Sequence, residues 1–229
     1  MKNPWIIIGV LVVVLFGGAF WYSGSVAEQA NEGIEIAKNI KGNTESTVIL
    51  EEFSDFQCPA CGQFYPVVQD IMDDYGDQIQ FHYRHFPLIR IHPAAEPAAR
   101  AAEAAGQQGK FFEYHDLLFE NQPAWSQSAN PSAFFTRFAE ELELDMNQFT
   151  SQQRSSLIRD KIRDDMAEGM ERGVNSTPTF FLNGERLQLT TIGDLRAAVE
   201  AALGVVPEGA EVPAETTTVD PNENVQFGI

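Results

Sequence analysis

The sequence predicts an α/β fold with an inserted all-helical subdomain, preceded by one N-terminal transmembrane helix. Three observations predict it. A β-branched run, a helical pattern and an alternating run follow one another between residues 47 and 86. Residues from about 93 to 173 are helical in pattern throughout. Ahead of both, Trp5 to Tyr22 is almost wholly apolar.

The apolar run comes first. No charged residue lies between Lys2 and Glu28, and the run approaches the roughly 20 residues that span a bilayer core as a helix. Trp5, Trp21 and Tyr22 stand at its ends, where amphipathic rings favour the membrane interface. Lys2 lies on one side, and Glu28, Glu32 and Glu35 on the other. The positive-inside tendency then predicts a plasma-membrane protein with a cytoplasmic N-terminus and an extracytoplasmic domain. Ser25-Val26-Ala27 also fits a small-x-small cleavage site, so residues 1–27 read as a retained anchor or a cleaved signal, the latter giving a secreted or periplasmic domain. Residues 28–46 read as a polar linker with a weakly helical piece around Ile34 and Ile40.

The domain proper is expected over residues 47–203. Thr47 to Phe53 is β-branched and apolar, which predicts a strand. After Cys58-Pro59-Ala60-Cys61, the residues Phe64, Val67, Val68, Ile71 and Met72 recur at helical spacing up to Tyr75-Gly76. Gln78 to Phe86 alternates as a second strand, so the three elements predict a βαβ unit with a parallel pair. Four helical stretches follow at 94–105, 111–119, 133–142 and 157–170, separated by Gly and Pro. They are too long together for a simple crossover and form the insertion at about 93–173. Thr179 to Leu182 and Arg186 to Leu189 flank Asn183-Gly184, a hairpin signal because both turn residues tolerate positive φ. Ile192 to Leu203 closes the domain as an amphipathic helix. Residues 204–229 read as a disordered acidic tail, with five acids and no Lys or Arg after Gly204.

Composition narrows the function. The chain has 229 residues, 44% of them hydrophobic, and 17 Phe, enough for a sizeable core. Its formal net charge of −18 would be repelled by phosphate backbones, which argues against nucleic-acid binding.

Both cysteines belong to one motif. Attack on a disulfide needs a thiolate, so a redox cysteine needs its pKa lowered. Cys58 sits where a strand hands over to a helix, and Pro59 suits the first helical position because it has no N–H to leave unpaired. The free N–H groups and positive end of that helix would stabilise a negative sulfur. Cys61 comes round one turn, so Cys58 is expected as the exposed nucleophile and Cys61 as the buried resolving thiol. A structural zinc site would need about four ligands; His82 and His85, three apart on a strand, face opposite sides of the sheet. A static disulfide in so short a loop would restrain little of the unfolded chain. No metal or organic cofactor is expected.

Phe53-Ser54-Asp55-Phe56-Gln57-Cys58-Pro59-Ala60-Cys61-Gly62 resembles the active-site segment of the DsbA-like thiol-disulfide oxidoreductases, in particular their membrane-anchored branch. Tyr83-Arg84-His85-Phe86-Pro87-Leu88 and the segment from Val174 to Gly184 resemble that family too, in the same order, so the likeness covers about residues 42–203. It implies a thioredoxin fold with a helical insertion. It also implies a cis bond before Pro178, with the backbone beside Thr177 open to pair with an extended substrate, and a buried proton-accepting role for Glu52. Glu51 should then face water. Pro59 and Ala60 frame the active site. Ala60 stands where the strongest oxidants of the family carry His, which implies a less oxidising couple. His85 and His92 are expected to be structural or exposed.

The resulting expectation is a dithiol oxidase that introduces disulfides into exported proteins through Cys58, reoxidised by a membrane quinone-linked thiol oxidase as the resemblance implies. A reductase or isomerase of the same fold, and a membrane-tethered binding module for unfolded chains, are the alternatives.

Overall fold

The computed structural model describes residues 4–205. Five strands form one sheet: β1 (Asn39–Gly42), β2 (Ile49–Ser54), β3 (Gln80–His85), β4 (Thr179–Leu182) and β5 (Glu185–Arg186), in the order β1-β3-β2-β4-β5. β2 pairs in parallel with β3, setting Leu50 beside Phe81 and Glu52 beside Tyr83. The other pairings are antiparallel. Helix α1 (Pro4–Asn31) precedes the sheet, and α2 (Pro59–Tyr75) links β2 to β3. The insertion comprises α3 (Ala95–Gly106), α4 (Phe111–Glu120), α5 (Gln122–Trp125), α6 (Pro131–Glu141), α7 (Met146–Gln152) and α8 (Ser156–Glu171). Helix α9 (Gly193–Leu203) follows β5 and ends at Gly204, whose φ of 71° is the left-handed C-cap that glycine adopts without strain.

The central position of β2 decides much else. Its two faces feed two cores, as a strand with alternating side chains must when both sides are covered. Leu50, Phe81, Tyr83 and Phe180 join Cys61, Ile71, Leu195 and the helical subdomain in the larger one. Phe53, Phe86, Val174 and Phe181 form a smaller one, with Met166 of α8 against it. Helix α8 approaches closely here because Gly169 has no Cβ; one would lie 2.9 Å from the Phe53 and Phe86 rings.

The membrane expectation is corrected. Among the described residues no helix is long and apolar enough to cross a membrane, and the plasma-membrane placement is not carried further. Helix α1 runs on past its aliphatic stretch, through Ser23-Gly24-Ser25 and Glu28, to Asn31. There it docks on the helical subdomain: Ala30 is buried, and Asn31 Oδ1 accepts from Ser155 Oγ at 2.7 Å and Ser156 N at 3.1 Å.

The polar segment 28–46 also differs from a linker, since its last part is β1, paired along β3 from Asn39–Tyr83 to Gly42–Gln80. Edge position explains the faint sequence signal: three half-exposed residues and an exposed glycine need no apolar alternation. The strand expected at 186–189 is cut to Glu185–Arg186, because Leu187 and Leu189 turn in against the larger core. Two short helices, α5 and α7, escaped the periodicity. Residues 206–229, where the acidic tail was expected, lie outside the described part.

Candidate active site

Cys58 is the N-cap of α2, extended in backbone (φ −70°, ψ 121°), and Pro59 opens the helix. The turn leading into it is fastened to three other parts of the chain. Asp55, fully buried, accepts from Gln57 N at 2.7 Å, Leu88 N at 2.8 Å and His92 Nδ1 at 2.7 Å. Gln57 accepts from Ala94 N at 2.7 Å and donates to the Ser126 carbonyl at 3.0 Å. Gln122 of α5 donates through Nε2 to the carbonyls of Phe56 at 2.7 Å and Cys58 at 2.9 Å. The helical subdomain therefore holds the backbone on both sides of Cys58. Asp55, Gln57 and Gln122 were not singled out in the sequence. Asp55 and Gln57 stand inside the motif, but Gln122 lies 64 residues away with no local signal.

Both cysteines are free thiols. Cys58 is 7% exposed and Cys61 0%, so Cys58, the expected nucleophile, is the more open of the two, though less open than expected. The Thr177–Pro178 bond is cis, as the resemblance implied. It sets the Thr177 carbonyl 3.4 Å from Cys58 Sγ, which donates to it. Glu52 points to the same face of the sheet as Tyr83 and Phe180, its register partners, and is 4% exposed.

Electrostatics separates the two sulfurs. The Cys58 thiol is pushed down to about 5, chiefly by the Cys61 thiol, with help from Thr177 and the backbone N–H groups of Cys61 and Ala60; burial opposes this. Ala60 thus acts through its N–H at a helix start, which its missing side-chain charge does not affect. Burial pushes the Cys61 thiol well up, reinforced by Cys58 and Glu52. Burial also raises the Glu52 carboxyl to about 7, with the Ser54 hydroxyl working against it and charge on Cys58 adding to it. A thiol held low at Cys58 thus lies beside a thiol held high at Cys61 and a carboxyl raised to about 7 at Glu52.

Glu51 departs from expectation. It is 8% exposed and paired with Arg84 Nε at 2.9 Å and with Arg172. The cause is β2's central place in the sheet: its second face is covered by α8, so a carboxylate there needs cationic partners. His85, also buried, bonds Glu103 at 2.8 Å, and His82 faces the opposite side of the sheet beside Gln80. Among the described residues no group of three or more His, Cys, Asp or Glu is placed to hold a metal ion.

This architecture is the DsbA-like thioredoxin fold. A family model described as thioredoxin matches residues 36–201, and the chain belongs to that family. Among solved structures it is similar to a thioredoxin-like oxidoreductase from Silicibacter pomeroyi, at 28% identity and a TM-score of 0.62, over 74% of this chain and 94% of that one. It is also similar to the thiol-disulfide exchange protein alpha-DsbA2 from Wolbachia pipientis, at 20% identity and a TM-score of 0.62, over 78% and 94%. Among curated proteins it is 37% identical over 192 residues to a Na(+)/H(+) antiporter, NhaA 3 of Salinispora tropica. That match takes in 81% of this chain but only 28% of the antiporter, so the chain spans about a quarter of the length of such relatives.

Proposed function

We propose that the chain is a DsbA-type thiol-disulfide oxidoreductase working as a dithiol oxidase. In its oxidised form a substrate thiolate attacks Cys58 Sγ. A substrate–Cys58 bond forms, the Cys58–Cys61 bond breaks, and the electron pair leaves on Cys61, which takes a proton. A second substrate thiolate then displaces Cys58, releasing oxidised substrate and the dithiol enzyme. A partner thiol oxidase restores the disulfide. The Thr177 backbone, held beside Cys58 by the cis bond, is the edge along which an extended substrate segment would pair.

The observation that supports oxidation over reduction is the Cys58 thiol pushed down to about 5. A stabilised thiolate stabilises the dithiol enzyme, which makes its disulfide a stronger oxidant. The test is equilibration with glutathione buffers. A reduction potential of roughly −200 mV or less negative supports the oxidase, whereas a value near about −270 mV assigns the chain to reduction instead. A Cys58→Ser variant that retained full activity toward its client chains would remove both redox readings and leave the binding module.

A further inference from the structure

Among the described residues four buried side-chain polar atoms have no hydrogen-bond partner: Ser54 Oγ, Tyr83 Oη, Thr177 Oγ1 and Gln152 Oε1. Three of the four surround the cysteine pair. Buried polar groups without partners are rare, and each is costly to keep. Thr177 flanks Cys58 directly. Ser54 and Tyr83 share something else: both lie on the Glu52 face of the sheet. Ser54 is two residues beyond Glu52 on β2, and Tyr83 is its register partner on β3. Ser54 is 1% exposed and Tyr83 1%. The Tyr83 ring is fixed by stacking on Phe56 at 5.0 Å and by edge contact with His115 at 5.0 Å, so its hydroxyl is aimed rather than free to turn away.

We infer that the Ser54 and Tyr83 hydroxyls are donors held ready for the negative charge that passes between Cys61 and Glu52 during exchange. The inference rests on the exchange chemistry proposed above. When substrate thiolate breaks the Cys58–Cys61 bond, the electron pair goes to Cys61 and the Glu52 carboxyl supplies the proton. The S–H bond forms on Cys61, and the charge ends on Glu52. In the reverse step Cys61 returns the proton to Glu52 and attacks. Either way one anion is buried below Cys58, where an unpartnered charge is expensive. Donors placed in advance where charge develops need no reorganisation at the moment of reaction. In the dithiol form neither hydroxyl has a well-formed partner, yet Ser54 already stands near enough to Glu52 and Cys61 to oppose the rise in both pKa values. The other titratable groups facing this cluster are Cys58 and Cys61 from α2, Asp55 after β2, His85 from β3 and His115 from α4; β4 presents Phe180.

The experiment compares the full chain with Ser54→Ala, Tyr83→Phe and the double variant. Infrared spectroscopy follows the Glu52 carboxyl of the dithiol form through its titration near 7, and stopped-flow follows reduction of the Cys58–Cys61 disulfide by dithiothreitol. Loss of the donors should move the Glu52 titration upward by about one unit and slow reduction by on the order of tenfold. The melting temperature should hold or rise, because an orphan hydroxyl has been replaced by an apolar group. Titration and rate both unchanged in the double variant, at any melting temperature, overturn the inference. A Cys58→Ser control, which cannot form the disulfide and is therefore assayed by oxidation of a dithiol peptide, separates the two claims. If it is inactive while the double variant behaves as wild type, only the donor role fails; if it is active, the exchange reading fails first.

Discussion

The side-chain amide of Gln122 occupies the space that Gly62 leaves by having no Cβ. An added Cβ would lie 2.5 Å from Gln122 Oε1 and 3.1 Å from its Cδ. From that place Gln122 bonds the Phe56 and Cys58 carbonyls. A methyl group at residue 62 would push away the brace that fixes the active-site turn. Ala in place of Gly normally favours a helix interior by about 1 kcal/mol. Here Gly62→Ala should do the reverse, lowering the melting temperature and shifting the Cys58 titration. Gln122→Ala should destabilise by about 1–3 kcal/mol, since the buried Phe56 carbonyl loses its donor and the Cys58 carbonyl keeps only the Gly62 N–H. Thermal unfolding of both variants checks this, and a Gly62→Ala protein as stable as wild type would show that the brace has room to move.

Cys58 should titrate well below an ordinary thiol. Its thiolate absorbance in the far ultraviolet should appear with a midpoint near 5 in the dithiol enzyme and be missing from Cys58→Ser. The sign for stability follows. A thiol whose folded pKa lies below its unfolded value of 9.0 binds its proton more weakly when folded. The dithiol form therefore gains stability relative to the unfolded chain as pH rises from about 5 to about 9, and loses it as pH falls through the folded value. The disulfide form has no such gain, so the gap between the two melting temperatures should narrow in acid. A gap independent of pH would contradict the assignment.

The parts of this site legible in sequence were those that chemistry ties to neighbours along the chain. A Cys-Pro-Ala-Cys run at a strand-to-helix junction needs no fold to be read, and the family likeness supplied Glu52 and Thr177-Pro178. What stayed hidden depends on register and on the layer above. Ser54 shares the Glu52 face by strand alternation alone, but Tyr83 meets Glu52 only once β2 and β3 are aligned in parallel, and a slip of one residue would send Tyr83 to the other face. Gln122 reaches the turn from an inserted helix of four residues that no periodicity marks. Glu51 looked like a solvated carboxylate because its cations, Arg84 and Arg172, lie 33 and 121 residues away. β1 was missed because an edge strand of three half-exposed residues and a glycine carries no alternation.

Gly169 makes a prediction of the same form for the opposite face of the sheet. A glycine in the last turn of a 16-residue helix should still cost up to about 1 kcal/mol relative to alanine. Its site between the Phe53 and Phe86 rings reverses that preference. Gly169→Ala should lower stability by roughly 1–3 kcal/mol, the usual cost of overpacking a filled core. The Cys58 titration should not move, because Gly169 lies on the face of β2 away from the cysteines. Calorimetry paired with the thiolate titration checks both halves.

Glu52 gives the prediction with the clearest sign. Its carboxyl is raised from 4.5 to about 7, mainly by burial. A raised carboxyl binds its proton more tightly in the folded state, so folding is favoured below the unfolded value and loses that advantage as pH rises to about 7. At about 1.4 kcal/mol per unit, the penalty above neutrality is about 3 kcal/mol. Glu52→Gln keeps the shape and cannot ionise, so it should match wild type near the unfolded value and be more stable by up to that amount at alkaline pH. Carboxylates elsewhere lose their ion pairs in acid in both proteins and cancel in the comparison. The same substitution removes the proton acceptor proposed for Cys61, so reduction and reoxidation of the cysteine pair should slow by about 10²-fold, within the usual range for loss of a general base. Unfolding and exchange kinetics measured across that pH range decide it. A variant that slows exchange without gaining alkaline stability would mean the carboxyl is ionised and paired in the folded state; one that gains stability with no loss of rate would move proton transfer to another group.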